Sequence, residues 1–363
     1  MTFEMQLGSP SERLNFVQCL NLFHPARKQK MAARSSPFGL QLFLKCLSLA
    51  LTTLCLSGHS QTYPSKAIHL VVPFTPGGST DILGRSIGQK LSQAWGQAVL
   101  IENVPGAGGS IGADRVAKAP ADGYTLLMGH IGTLAVTPSI YPNLPYDPIK
   151  SFAPVAWIAR VPNIMVVHPS VPVNTVRELV DYLHNKPNAI NYGSGGNGSA
   201  AHLATEYFKL QSQTTMVHVP YKGTSPAVTD LVAGQIELVF TGAPAVMAFI
   251  KSGQLKAIAV SSKNRLSSFP DIPTVQESGL KEFTNFEADQ WYGIVAPAGT
   301  PQAVITKLNA QINASLNTPE LKTRLQAEGA EATPTTPEVF GKLIASEIER
   351  WRPVVHSSKI KPD

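Results

Sequence analysis

The chain has 363 residues, enough for two domains at about 100 to 200 residues each. Apolar residues make up 43% and charged residues 15%, a balance that buries a core and excludes a disordered chain. The formal net charge is +6, but the excess is concentrated at the N-terminus, where Arg13, Arg27, Lys28, Lys30, Arg34 and Lys45 face only Glu4 and Glu12. Beyond Ser60 the charges nearly balance and no basic stripe interleaves with aromatics, so nucleic acid is excluded as a partner.

Cys46 to Leu56 is a short, mostly apolar run with Arg34 and Lys45 before it and Ser57, Gly58 and Ser60 after it. That is the layout of a secretory signal peptide, with cleavage expected near Ser60. A membrane span needs about 20 apolar residues, and Lys45 interrupts any longer version. Residues before Met31 have no place in a signal peptide, so Met31 reads as the natural start and the first 30 residues as an extension. A lipid anchor at Cys55 is poorly supported, because Leu54 precedes it where a small residue belongs. Cys19, Cys46 and Cys55 all precede Ser60, so the exported chain carries no disulfide, no thiolate metal site and no thiol nucleophile.

The first apolar run, Ile68 to Phe74, is rich in β-branched residues and reads as a buried strand. A Pro-Gly-Gly turn follows, then a helix from about Thr80 with Ile82, Leu83, Ile87 and Leu91 on one face. Strands are predicted at Ala98–Val104 and Tyr124–Met128, with a helix at Ser110–Lys118 between them. A strand is predicted within Ile158–His168, and a helix at Thr175–Leu183 opens with a Thr175/Glu178 capping box. Strands then follow at Ala189–Tyr192, Ile236–Phe240, Leu255–Val260 and Trp291–Ala296, with helices through Leu210 and at Pro226–Val232. The C-terminal part reads as helical, each helix opened by a Thr-Pro pair: Thr300-Pro301, Thr318-Pro319 and Thr336-Pro337. The alternation of strands and helices predicts parallel α/β sheets.

Three glycine-rich turns each end a strand and open a helix: Pro76–Ser79, Gly106–Ser110 and Ser194–Ser199. Glycine admits close backbone approach, and the unpaired N–H groups of a helix start attract anions. Any one such turn is most simply a tight βα connection. Three of them, rich in hydroxyl residues, point to an anion site at strand C-termini. No turn fits G-x-x-x-x-G-K-[ST], and Ile111 spoils a dinucleotide fingerprint, so no nucleotide or other cofactor is implied.

The rival reading is a secreted hydrolase. Ser199 and His202 share a helix face, but Ala201 breaks G-x-S-x-G and no acid is assigned to orient His202. The histidines form no H-x-x-x-H or H-E-x-x-H, which argues against a catalytic metal. Asp81 complements a helix dipole or serves as an acceptor in a cleft, and Lys222 is a surface lysine or a site cation.

The run VPFTPGGSTDILGR, Val72 to Arg85, resembles the opening of the Bug family, extracytoplasmic receptors of tripartite tricarboxylate transporters. ENVPGAGGSIGADRVAKAPADGYTLLMG, YGSGGNGSAAHLATEYFK, VHVPYKGTSPAVTDLVAGQIELVF, FPDIPTVQESG and WYGIVAPAGTP continue it over nearly all of residues 63 to 355. The resemblance implies a type II periplasmic-binding-protein fold: two α/β lobes joined by two crossing strands, near Trp157–Asn163 and Glu287–Tyr292, around a ligand cleft. Lobe one would be 61–162 plus 285–363 and lobe two 163–284. Loops of both lobes would hold a small carboxylate. The implied first-lobe contacts are Phe74, Thr75, Gly77, Gly78, Ser79 and Asp81, with Ile131, Gly132 and Thr133 from a second loop. The implied second-lobe contacts are Gly198, Ser199, His202 and Tyr221. Many members carry Asp where this chain has Thr241, which tilts the expectation from an amino acid toward a plain carboxylate.

The expected protein is a monomeric, non-catalytic periplasmic receptor that hands its ligand to transporter subunits or a sensor protein. Residues up to about Ser60 should be lost on export. N-terminal sequencing of protein from its host should begin near Gln61; an intact Met1 or Met31 on a cytoplasmic protein would overturn the export reading.

Overall fold

The computed structural model describes residues 63–358 and residue 360. The expected export segment, with the three cysteines and the expected cleavage near Ser60, lies outside them. Among the described residues no helix is long and apolar enough to cross a membrane.

Two sheets organise the chain. The first contains β1 (Ile68–Val72), β2 (Val99–Asn103), β3 (Thr125–His130), β4 (Phe152–Val161), β10 (Gln290–Pro297) and β11 (Glu331–Ala332). The second contains β5 (Asn163–Val167), β6 (Asn191–Ser194), β7 (Val217–Pro220), β8 (Leu238–Gly242) and β9 (Lys256–Val260). Their orders are β11-β4-β10-β3-β1-β2 and β7-β6-β8-β5-β9. The helices are α1 (Ser79–Trp95), α2 (Ser110–Ala117), α3 (Val176–Asn185), α4 (Ala200–Ser212), α5 (Thr224–Val232), α6 (Gln302–Leu316), α7 (Pro319–Ala327) and α8 (Pro337–Ser357), besides shorter helical turns.

The sheets are mixed, not purely parallel. β2-β1-β3 and β7-β6-β8 are parallel, as the strand–helix alternation requires. β10 is antiparallel to both β3 and β4, and β5 to both β8 and β9. The reason is the path of the chain. One strand predicted within Ile158–His168 is in fact two, β4 and β5, separated at Pro162 as the chain leaves one sheet for the other. Proline has no N–H to give a ladder, so it suits that break.

Local signals fare unevenly. Thr175, Thr318 and Thr336 cap their helices by accepting the N–H of Glu178, Leu321 and Val339. Glu178, however, reaches the Asn174 N–H at 2.6 Å, not that of Thr175. Thr300 is no cap: its hydroxyl donates to the Pro297 carbonyl at 2.8 Å, and Pro301 occupies the cap position of α6. The strand β11, predicted as helix, pairs Glu331 with Arg160 and Ala332 with Ala159.

The segments passing between the sheets are laced by side chains. Asn163 donates its backbone N–H to the Ser261 hydroxyl oxygen at 2.8 Å and its Nδ2 to the Ala288 carbonyl at 2.5 Å. Ser261 donates to Asp289 at 2.6 Å, Arg160 bonds Asp289 at 2.9 Å and also pairs with Glu287, and the Gln290 amide bonds Asn163 Oδ1. Burial pushes the Asp289 carboxyl up, against the pull of Ser261 and Arg160. Below this lacing, Trp291 and Trp351 both donate to Glu347, and Phe340 meets Trp291 edge to face at 5.7 Å.

Gly293 of β10 exists to admit Phe340, since an added Cβ would lie 2.1 Å from its Cζ. Gly293→Val should lower stability by about 1–3 kcal/mol through overpacking. Urea unfolding checks this; an unchanged midpoint would mean that the ring moves aside without cost.

Candidate functional site

Three helices start at one small cavity. Its wall includes Gly78, Ser79 and Thr80 at the start of α1, Ser199, Ala200 and Ala201 at the start of α4, and Thr224 at the start of α5. The first two residues of any helix have no intrahelical acceptor for their N–H. Here those residues are Ser79 and Thr80, Ala200 and Ala201, and Thr224 and Ser225. The helix dipoles add partial positive charge at the same ends. The rest of the wall is Phe74, His130, Thr241, Gln290 and Tyr292, with no Asp, Glu, Lys or Arg among the lining residues. The cavity measures about 20 Å³, room for one water.

The two sheets meet around it through glycines. A Cβ on Gly108, where φ is +60°, would lie 2.3 Å from the Asn197 carbonyl oxygen of the second sheet's loop. A Cβ on Gly223 would lie 2.1 Å from Thr75 Oγ1. Ser79 also donates to the Gly242 carbonyl at 3.3 Å. The middle glycine-rich turn, Gly106–Ser110, therefore does not line the cavity; it lets the loop of the second sheet approach.

The residues singled out from sequence divide into two groups. Phe74, Gly78, Ser79 and Ser199 line the cavity. The others lie around it in supporting positions. Asp81 is buried, and its carboxylate accepts from the Gly77 N–H (3.0 Å), Arg85 (2.9 Å) and Asn103 (3.0 Å). Burial opposes its ionisation, but those three donors prevail and hold it below the usual carboxylate range. Its partners thus come from its own loop, from α1 and from the end of β2. Thr75 Oγ1 is buried without a partner. Ile131 is buried, and Gly132 lies where a Cβ would meet His130 and the Gly198 carbonyl. The Thr133 N–H donates to His130 Nδ1 at 3.1 Å, and the Thr133 carbonyl accepts from Tyr146 at 2.7 Å. The Tyr221 hydroxyl is committed to Asp230 at 2.6 Å.

The hydrolase geometry is not formed. Ser199 Oγ accepts the backbone N–H of His202 at 3.4 Å, and the His202 ring accepts the Gly198 N–H on Nδ1 at 3.2 Å. No side-chain bond joins Ser199 to that ring among the described residues. Glu206, 4.0 Å from the ring, is taken up by Tyr192 and Lys209, each at 2.5 Å. The His202 ring stacks instead on His218 at 4.0 Å, and His218 bonds Ser194 at 2.6 Å, which braces the second loop from below. No group of three or more metal-ligating side chains occurs among the described residues.

Sequence reasoning missed Thr80, His130, Ala200, Ala201, Thr224, Gln290 and Tyr292. The alanines contribute backbone, which no side-chain motif signals. Thr224 sits in the quoted run YKGTSPAV and directly after a glycine, a signal that was there to be read. Gln290 and Tyr292 lie on a strand that reaches the site only through tertiary pairing.

The profile of the tripartite tricarboxylate transporter family receptor matches residues 83–360. This chain belongs to that family. BugT of Bordetella pertussis is 38% identical over 303 residues, covering 83% of this chain and 92% of the relative. Among solved structures, Rpa4515 of R. palustris with adipate is 37% identical with a TM-score of 0.80, covering 83% of this chain and all of that one. MatC of Rhodopseudomonas palustris with bound malate is 33% identical with a TM-score of 0.77, covering 81% of this chain and all of that one. The fold is accordingly the two-lobed periplasmic-binding-protein type, with strands crossing between the α/β lobes. The family binds solutes and is not enzymatic, so the hydrolase reading falls with the unformed Ser199–His202 pair.

Three histidines around the site are held neutral. Burial lowers His130 to about 4 and, with Lys209, His218 to about 4. Burial, His218 and Lys209 hold His202 well below its usual value. Because the unfolded chain takes up these protons near pH 6.5 and the folded one does not, stability is full above about pH 6.5 and falls as pH drops toward 4. The loss should be on the order of 3 kcal/mol for His130. Urea unfolding at pH 7.5 and 4.5 checks this, and His130→Phe should flatten the dependence; equal slopes would mean the ring is not desolvated.

Proposed function

We propose that this receptor captures a small organic carboxylate in the cavity and, as a periplasmic protein, delivers it to a transporter or sensor in the membrane. The observation that carries the reading is the convergence of three helix starts, drawn from both sheets, on one cavity with no charged side chain in its wall. Unpaired N–H groups at positive dipole ends favour an anion. The hydroxyls of Thr80, Ser199 and Thr224 add donors. A carboxylate has about four acceptor sites, enough for donors from both sides. Thr241 stands in the wall with no acid beside it, so nothing pairs with a ligand ammonium group. The adipate and malate held by the two solved relatives are consistent with this class.

Lobes bounded at 61–162 plus 285–363 and at 163–284 agree with strands β4 and β5 parting at Pro162 and with the first sheet resuming at Gln290. In this reading the lobes close over the ligand, since one water's space admits no acid unless they part.

Native mass spectrometry of the purified protein should find a small acid that is replaced on adding adipate or malate, while the corresponding diamide does not displace it. Gly108→Ala places a side chain against the Asn197 carbonyl and should weaken acid binding by at least about tenfold, by holding the lobes apart. Small-angle scattering should show wild-type protein compacting with a saturating acid and the variant not. No acid in the mass spectrum and equal affinity for acid and diamide would sink the carboxylate reading.

A further inference from the structure

We infer that His130 sets the specificity of this site, its Nε2–H reading a second acceptor group on the bound acid beyond the carboxylate held at the helix starts. This rests on the carboxylate reading and goes further, to the class of acid selected. His130 ends β3 and is 3% exposed, yet its ring lines the cavity. Nδ1 accepts the Thr133 N–H at 3.1 Å. An imidazole nitrogen that accepts carries no proton, so in the neutral ring the proton is on Nε2. Among the described residues nothing hydrogen-bonds Nε2. Burial lowers its pKa to about 4, which keeps the ring neutral near pH 7.

The ring is also held in place. Phe74 lies 4.7 Å away, tilted by 31°, and Tyr292 lies 5.8 Å away edge-on. The neighbouring polar groups are already spent on one another. The Tyr292 hydroxyl donates to Gln290, and the Gln290 amide donates to Asn163. His130 therefore presents a fixed, uncharged, unsatisfied donor beside Tyr292 and Gln290, whose own bonds are already made. A donor buried without a partner penalises any ligand that offers only a methyl group there. The receptor should then prefer diacids, or acids with a carbonyl or hydroxyl acceptor, to simple monoacids.

Isothermal titration with two matched pairs tests this: adipate against hexanoate, and succinate against butyrate. In each pair one carboxylate is replaced by a methyl group. Wild-type protein should favour the diacid of the better-fitting pair by roughly 10- to 100-fold. His130→Phe keeps the ring stack and should cut that preference to below about threefold. His130→Gln returns a donor and should restore part of it. In ¹⁵N-histidine-labelled wild-type protein the Nε2–H resonance should be present without ligand, and should shift with the diacid but not with the monoacid. Preference unchanged in His130→Phe, or a resonance indifferent to the diacid, overturns the inference. Equal wild-type binding of diacid and monoacid overturns it while leaving the carboxylate reading intact. Binding of none of the four acids overturns both.

Discussion

An α-helix begins with N–H groups that its own backbone cannot satisfy, and here three helices spend that deficit on one cavity. The starts of α1, α4 and α5 supply amides that need an acceptor, and no carboxylate side chain comes from the wall to serve as one. Asp81, the acid nearest in sequence, is turned onto Gly77, Arg85 and Asn103. It shapes the loop that presents the amides and leaves them unspent. The second loop is built the same way, with Ser199 capping His202 and His218 bracing Ser194.

For the helix starts of two sheets to serve one ligand, the backbones must come close. That explains the glycines better than any single turn does. Gly108 and Gly223 stand where a Cβ would collide with the opposite loop. Positive φ at Gly108 is a second reason for glycine there, since other residues adopt it at a cost. The cavity is also tied to the crossing between sheets. Gln290 borders it and bonds Asn163, whose side chain continues to Ala288. A change in the angle between the sheets would therefore be felt in the wall of the site.

The strand and helix signals of the chain were mostly legible because they are local. Val176, Leu179, Val180 and Leu183 form a buried stripe whatever they pack against. Gly78, Ser79 and Ser199 were legible because similar glycine- and hydroxyl-rich turns recur at several strand ends and because the family resemblance implies them as contacts; the turn alone does not distinguish them from Gly106–Ser110. Thr175, Thr318 and Thr336 behave as caps, whereas Thr300 bonds backward to Pro297, because the cap depends on the φ/ψ entering the helix and not on the dipeptide alone. Asp81, His202 and Tyr221 resisted assignment for a different reason. Each is polar and close to the site, but its hydrogen bonds are settled by neighbours that arrive from elsewhere in the chain or the loop.

From its residues alone the chain determined that no cysteine follows Cys55, that it is α/β, and that glycine-rich turns open several of its helices. These follow from composition, periodicity and backbone chemistry, which act over a few residues. Only the tertiary structure decided which of the three turns line the cavity and which merely let the sheets approach. It also decided that β10 runs antiparallel between β3 and β4, carrying Gln290 and Tyr292 to His130. Those placements depend on pairings between strands more than a hundred residues apart, and no local pattern encodes the partner of a strand that distant.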